Sequence, residues 1–241
     1  MNIVELNASF IMNPVGPPIG PKKALVASRA ERAAQIGLRH AAQTLDTVAS
    51  LREKYAAPVF GQVKVWSLLE MLAQCIDPTD ERLYATSQQM HVLQMLAAME
   101  HENAATDELV LAALVHDLGK VLLLTDEAPE NVVCMNTPIG SPAPGSGLAN
   151  CILQWNHDEF AWSRLKHLLP DDVAWLVRYH SIIPSQCAHL MDAGDRARAQ
   201  RLLVPFSRYD HGTKSPFFLP ERRIDHYRPV IERWLPESIV F

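Results

Sequence analysis

The chain has 241 residues, of which 48% are hydrophobic, 20% charged and 7% aromatic: enough for one sizeable core, too short for two ordinary domains. Lys plus Arg number 22 against 27 Asp plus Glu, a formal charge of −5, which excludes the basic footprint of a nucleic-acid-binding protein. No apolar run approaches the roughly 20 residues of a membrane span, because the longest, 109–124, is broken by His116, Asp117 and Lys120.

The N-terminal MNIVELNASFIM lacks the basic region of a secretory signal, and the four cysteines, Cys75, Cys134, Cys151 and Cys187, form no CxxC pair. Both features suit a reduced, cytoplasmic protein. Prolines and glycines crowd residues 13–23, so residues 1–27 read as an extended arm ahead of a single domain, 28–241. Ile36, Leu38, Ala41, Leu45, Val48 and Leu51, recurring at three- and four-residue steps, predict a helix over 28–54. A second helix, 65–74, stops ahead of Asp77-Pro78, since a residue before proline is pushed from helical geometry. Further helices are predicted over 87–100 and 107–124, the latter with Thr106-Asp107 as its start signal. A Pro/Gly/Ser loop at 135–147 follows, then helices over 148–168, 171–180, 192–208 and 225–234. Alternating β-branched runs are nearly absent, so the fold class is all-α.

The sharpest local sequence is His116-Asp117-Leu118-Gly119-Lys120, set within an apolar helix. An imidazole beside a carboxylate in such a helix is costly to bury unless something satisfies both. A divalent metal would do so, with Asp able to bridge two ions, and Gly119 leaves room for a close approach. An HD pair alone is more often a hydrogen-bonded helix end. Further candidates are His91 in QQMHVLQML, His157 in the second HD of WNHDEF, His180 in RYHSI and Asp210 in FSRYDHGTK. Asp210 falls at a helix C-terminus, where a carboxylate opposes the macrodipole and needs a compensating cation. Singly, each is more often a satisfied polar group than a ligand. Four histidines and two aspartates spread over separate helices resemble a cage for two ions, and His/Asp ligation without thiolate suits iron or manganese.

These stretches resemble the inositol oxygenase family, a branch of the HD-domain metalloproteins. The resemblance runs in order through QTLDTVASLREKY (43–55), HDLGKVL (116–122), GLANCILQWNHDEF (147–160), LVRYHSIIP (176–184), FSRYDHGTK (206–214) and the C-terminal HYRPVIERWLP. It implies a helical HD-domain bundle around a dinuclear site. One iron would be held by His91, His116 and Asp210, the other by His157 and His180, with Asp117 bridging and a mixed-valent Fe(II)/Fe(III) pair as active form. The implied activity is an O2-dependent oxidoreductase of inositol catabolism, cleaving a carbon–carbon bond of a chelating diol, with myo-inositol giving D-glucuronate. Its partners are then a small-molecule substrate and O2, with neither nucleic acid nor membrane, and the oligomeric state is left open.

Lys120, one turn past His116, matches a lysine that stabilises the metal-bound alkoxide, and Ser181 and Lys214 match polyol-binding residues. Without the resemblance, Lys120 reads as a helix-end lysine, Ser181 as a turn cap and Lys214 as loop surface. Two departures fall on the polyol-binding shell. A substrate-contacting Gly-Asp pair of the family is replaced within Cys134-Met135-Asn136-Thr137, and an acid before the Asp-Pro turn is replaced by Gln74. Alternatives are the same oxygenase chemistry on another diol, aminoalcohol or phosphonate, and an HD-type phosphohydrolase with Lys120, Arg178 or Lys214 as countercharges. A metal-binding scaffold without activity is a third.

Overall fold

The computed structural model describes residues 21–80 and 86–241, with side chains from residue 28 onward. The greater part of the expected N-terminal arm, residues 1–20, lies outside the described residues. Helix α1 (Pro21–Ala41) begins earlier than the periodicity predicts. Proline is suited to a first helical position, where its fixed φ fits and its missing N–H is not needed.

The single helix predicted over 28–54 is two, because α2 (Leu45–Lys54) starts afresh at Thr44, whose hydroxyl accepts the N–H of Thr47. Gln43 causes the break. Its amide donates to the Trp155 carbonyl (3.0 Å) and accepts the Trp155 N–H (2.7 Å), so this buried side chain serves as a backbone surrogate for a distant segment. A short strand β1 (Gln62–Lys64) leads into α3 (Val65–Met71), and α4 (Gln88–His101) is capped by Ser87. Helix α5 (Asp107–Val115) is capped by Thr106 as expected but ends before His116, and a 3₁₀ stretch over Leu118–Leu124 completes the predicted segment.

The helix predicted over 148–168 is also interrupted. Strand β2 (Pro138–Ile139) pairs antiparallel with β3 (Ile152–Leu153), and α6 (His157–Leu165) begins only where Asn156 accepts the N–H of Asp158. Helix α7 (Asp171–Tyr179) agrees with its prediction, and a short α8 (Pro184–Cys187) follows. The helix predicted over 192–208 starts at its Asp192 cap and runs further. It comprises α9 (Ala193–Arg198), a π-helical segment Ala199–Leu203, and α10 (Val204–Gly212). Helix α11 (Arg228–Trp234) and β4 (Ser238–Val240) end the chain, with β4 antiparallel to β1 in the register Val63 to Ile239.

The fold is thus a mostly helical bundle with two small β-ribbons among the described residues. Helix α7 packs on α5 and α6, while α10 lies against α4. Leu111, Leu114, Val115, Leu118, Phe160, Val177 and Phe206 fill the space between them. No helix of the described residues is long and apolar enough to cross a membrane.

Candidate metal centre

Five elements deliver the polar cluster at the centre of this bundle. His91 comes from α4, His116 and Asp117 from the end of α5, His157 from the first position of α6, His180 from the last turn of α7 and Asp210 from the last turn of α10. The break after α5 lets the His116-Asp117 pair work together. Consecutive residues in a regular helix point about 100° apart, but Asp117 has left helical geometry (φ −96°, ψ 6°) and turns its carboxylate towards His116.

The carboxylate of Asp117 lies between two groups. Its Oδ2 is 3.3 Å from His116 Nε2, while its Oδ1 is 3.1 Å from His157 Nε2 and 3.6 Å from His180 Nε2. On the first side, His91 Nε2 is 3.0 Å from Asp210 Oδ1, and the rings of His91 and His116 meet edge to face at 5.7 Å. On the second side, His157 Nε2 faces His180 Nε2 at 3.3 Å. Donor atoms close enough to share an ion occur in three overlapping sets: His91–His116–Asp210, His116–Asp117–His180 and His157–Asp158–His180, all buried.

Backbone carbonyls orient three of the rings. His116 Nδ1 donates to Ala113, His157 Nδ1 to Val132 and His180 Nδ1 to Val177, at 2.9, 2.5 and 3.2 Å. A proton on each Nδ1 turns the Nε2 lone pairs inwards, as metal-ligating histidines require. His116 Nε2 and Asp158 Oδ1 are buried without a hydrogen-bond partner, and two imidazole nitrogens face each other. Such an arrangement of electron pairs is repulsive until cations lie between them, so the residues fit a dinuclear His/Asp site.

The electrostatics agree. Burial, aided by the charge of Lys214, outweighs Asp210 and drives His91 down to about 4, so its imidazole is neutral at pH 7. Burial also opposes charge at His157, but Asp158 and Asp117 outweigh it and carry the imidazole up to about 9, so a proton on Nε2 supplies the positive charge these carboxylates call for until a metal displaces it. The carboxyls of Asp117 and Asp210 are held well below the ordinary range, despite burial, by the neighbouring histidines and lysines. Lys120 is 4% exposed, and burial works against its charge. Asp117 Oδ2 at 3.0 Å and Asp77 Oδ2 at 3.5 Å overcome that penalty, so its ammonium remains a fixed cation, with Gln88 Oε1 accepting at 2.9 Å.

A cavity of about 430 Å³ opens onto this cluster, lined by Asp117, Lys120, His157, His180, Ser181 and Lys214 among others. The six expected metal ligands, Lys120, Ser181 and Lys214 therefore lie in or against one site. Two roles look different in the structure. Ser181 donates its hydroxyl to Asp158 and accepts from Asn156, so it is already engaged within the protein. Lys214 is not loop surface: it is 3.0 Å from Asp80 and 3.6 Å from Asp210. Arg178 does not reach the cavity, because Glu159 holds its guanidinium and Trp162 stacks on it, so it is no countercharge there. Of the departures, Met135 lines the cavity, Asn136 turns inward to Asn156, and Gln74 is exposed outside the lining.

Sequence reasoning passed over Asp77, Asp80, Gln88 and Asp158. Asp158 was visible as the acid of the second HD, but an acid in the first turn of a helix has an ordinary explanation in the macrodipole. Asp77 was hidden in an Asp-Pro turn, where its carboxylate accepts from Thr79.

The family model described as Myo-inositol oxygenase matches residues 31–141 and 128–241. The chain belongs to the myo-inositol oxygenase family. It is 28% identical over 241 aligned positions to inositol oxygenase 5 of Arabidopsis thaliana, covering 83% of this chain and 76% of that one. It is 26% identical to the inositol oxygenase of Rattus norvegicus, over 83% of this chain and 82% of the relative. The Danio rerio inositol oxygenase is 24% identical, over 83% and 84% respectively. Members of the myo-inositol oxygenase family thus align across nearly the whole domain that carries the His/Asp clusters.

Proposed function

We propose that the protein is a cytoplasmic di-iron oxygenase that uses O2 to cleave a carbon–carbon bond of a metal-chelating polyol, with myo-inositol converted to D-glucuronate. The observation that carries this reading is the carboxylate of Asp117, which has one oxygen on each of two His/Asp groups beside an open cavity. One iron is assigned to His91, His116 and Asp210, the other to His157 and His180, with Asp117 shared and a mixed-valent pair active. When bound, the irons supply Lewis acidity and the redox chemistry of O2.

The chain's own residues bind and orient. Lys120 presents an ammonium beside Asp117, where its charge favours the alkoxide form of a substrate hydroxyl. Lys214, with Asp80, adds a donor and acceptors to the cavity lining. The 0% exposed Phe206 packs on His116 and keeps water from that side of the centre. Among the described residues, Lys120 and Lys214 are each matched by acids and Arg178 is engaged elsewhere, which favours the oxygenase reading over a phosphate clamp. Four free thiols support a reducing compartment.

Iron-loaded protein mixed with myo-inositol should consume O2 and form D-glucuronate in equal amounts. Turnover of phosphate esters under nitrogen with Mn(II), without O2 uptake in air, would reject the oxygenase reading. Met135 supports a narrower second reading. It lines the cavity within the stretch that replaces the family's substrate-contacting Gly-Asp pair, and a thioether there cannot accept a hydroxyl as a carboxylate does, which favours a diol or aminoalcohol with fewer hydroxyls. O2 uptake with such a compound, and none with myo-inositol, would select it.

A further inference from the structure

Lys214 lines the cavity from a stretch with little to hold it. Residues 213–223, which follow α10, form neither helix nor strand. Within them Phe217, Phe218 and Leu219 are 65, 47 and 74% exposed, so apolar burial does not fix the chain just beyond Lys214. A polar tie does. Gln94 on α4 is 0% exposed, and its amide donates to the carbonyls of Ser215 (2.5 Å) and Phe218 (2.8 Å). Its Oε1 accepts the Ser215 N–H at 3.1 Å. Two carbonyls and one N–H settle which end of the amide is which.

The same helix face reaches the metal cluster. Residues three apart on a helix are neighbours on one side, and one turn before Gln94 lies His91, whose Nε2 is 3.0 Å from Asp210 Oδ1. Helix α4 thus grips the end of α10 through His91 and the loop after it through Gln94. Lys214 falls between those two grips, its Nζ 3.0 Å from Asp80 Oδ2 and 3.6 Å from Asp210 Oδ1. A lysine stem has much rotamer freedom to lose, and a backbone fixed at the next residue limits where its ammonium can go.

We propose that Gln94 is a positioning residue for Lys214: by clamping the backbone of Ser215 and Phe218, it holds the ammonium in the cavity where it meets a substrate hydroxyl. Gln94 touches neither substrate nor metal in this account and acts through Lys214 alone. The inference rests on the reading of the cavity as a polyol site, and its test separates the two.

The full iron-loaded chain is treated under nitrogen with limiting acetic anhydride, and each lysine is followed by peptide mass mapping. Gln94→Met, of similar length but without the three hydrogen bonds, should raise the labelling rate of Lys214 about 10-fold and leave that of Lys120 unchanged. In O2 uptake, Q94M should raise KM for myo-inositol about 10-fold with kcat within about 2-fold, the pattern of lost binding rather than lost chemistry. Lys214→Ala should raise KM likewise, and Q94M should add nothing in its presence. A lower melting temperature for Q94M with Lys214 labelling and KM unchanged makes Gln94 a structural tie only and overturns the positioning role alone. A wild type that takes up no O2 with myo-inositol or another polyol overturns the oxygenase reading, and with it the substrate role claimed through Lys214. Hydrogen exchange on the wild type needs no variant to fold: the Ser215 amide should exchange at least about 100-fold more slowly than that of Leu219. Equal rates overturn the clamp.

Discussion

Gly119 has no room for a side chain. A Cβ there would lie 2.1 Å from the carbonyl oxygen of His157, 2.8 Å from its carbonyl carbon and 2.9 Å from its Cα. All three are backbone atoms, so no rotamer change relieves the contact. Restoring an ordinary 3.4 Å separation moves the 118–124 segment away from the start of α6 by more than about 1 Å. That displacement acts across the 3.1 Å contact between Asp117 and His157. Overpacking costs about 1–3 kcal/mol, and backbone against backbone places Gly119→Ala near about 3 kcal/mol. At about 2–4 °C per kcal/mol for a chain of this size, the melting temperature should fall by about 6–12 °C. Calorimetry of the iron-free protein measures that term, and O2 uptake by the loaded protein should fall about 10²-fold. A G119A protein melting within about 2 °C of wild type, at full activity, would refute the close apposition of these segments.

Three further outcomes follow from named contacts. Lys120→Ala should leave the iron content unchanged and lower turnover by about 10²-fold, read by metal analysis beside O2 uptake, because Lys120 touches Asp117 without supplying a ligand atom. Glu159→Ala leaves the buried guanidinium of Arg178 without its carboxylate and should cost about 3 kcal/mol in urea denaturation. Burial alone would raise the carboxyl of Glu127, but Lys54, the Tyr55 hydroxyl, Asn131 and the Ala128 N–H outweigh it and hold it below its ordinary 4.5. A depressed folded-state value contributes stability above pH 4.5 that is lost as pH falls through it. The stability gap between wild type and Glu127→Gln, measured on iron-free protein, should therefore be full near neutrality and shrink below pH 4.5.

The helical class, most helix starts and the polar residues of the site could be read from the chain because each had a local signal. Thr106, Ser87 and Asp192 cap their helices as their residue types suggest. Gly119, taken from the sequence as room for a close approach, meets the backbone of His157. What escaped was decided by distant partners. Periodicity carries the first helix through Gln43, yet that side chain is occupied with the backbone of Trp155. The helix over 148–168 has sound local propensity and loses its first turns to pairing between β3 and β2. The engagement of Arg178 by Glu159 and of Ser181 by Asp158 likewise depends on which helices pack together, information that spacing along one segment does not hold.

The central claim is that two ions share Asp117. Anaerobic reconstitution with ⁵⁷Fe followed by Mössbauer and EPR spectroscopy tests it most directly. The account predicts two irons per chain, with a spin-coupled signal on partial oxidation, since one carboxylate contacts both groups. Less than one iron per chain, or two irons with no magnetic coupling, would contradict it.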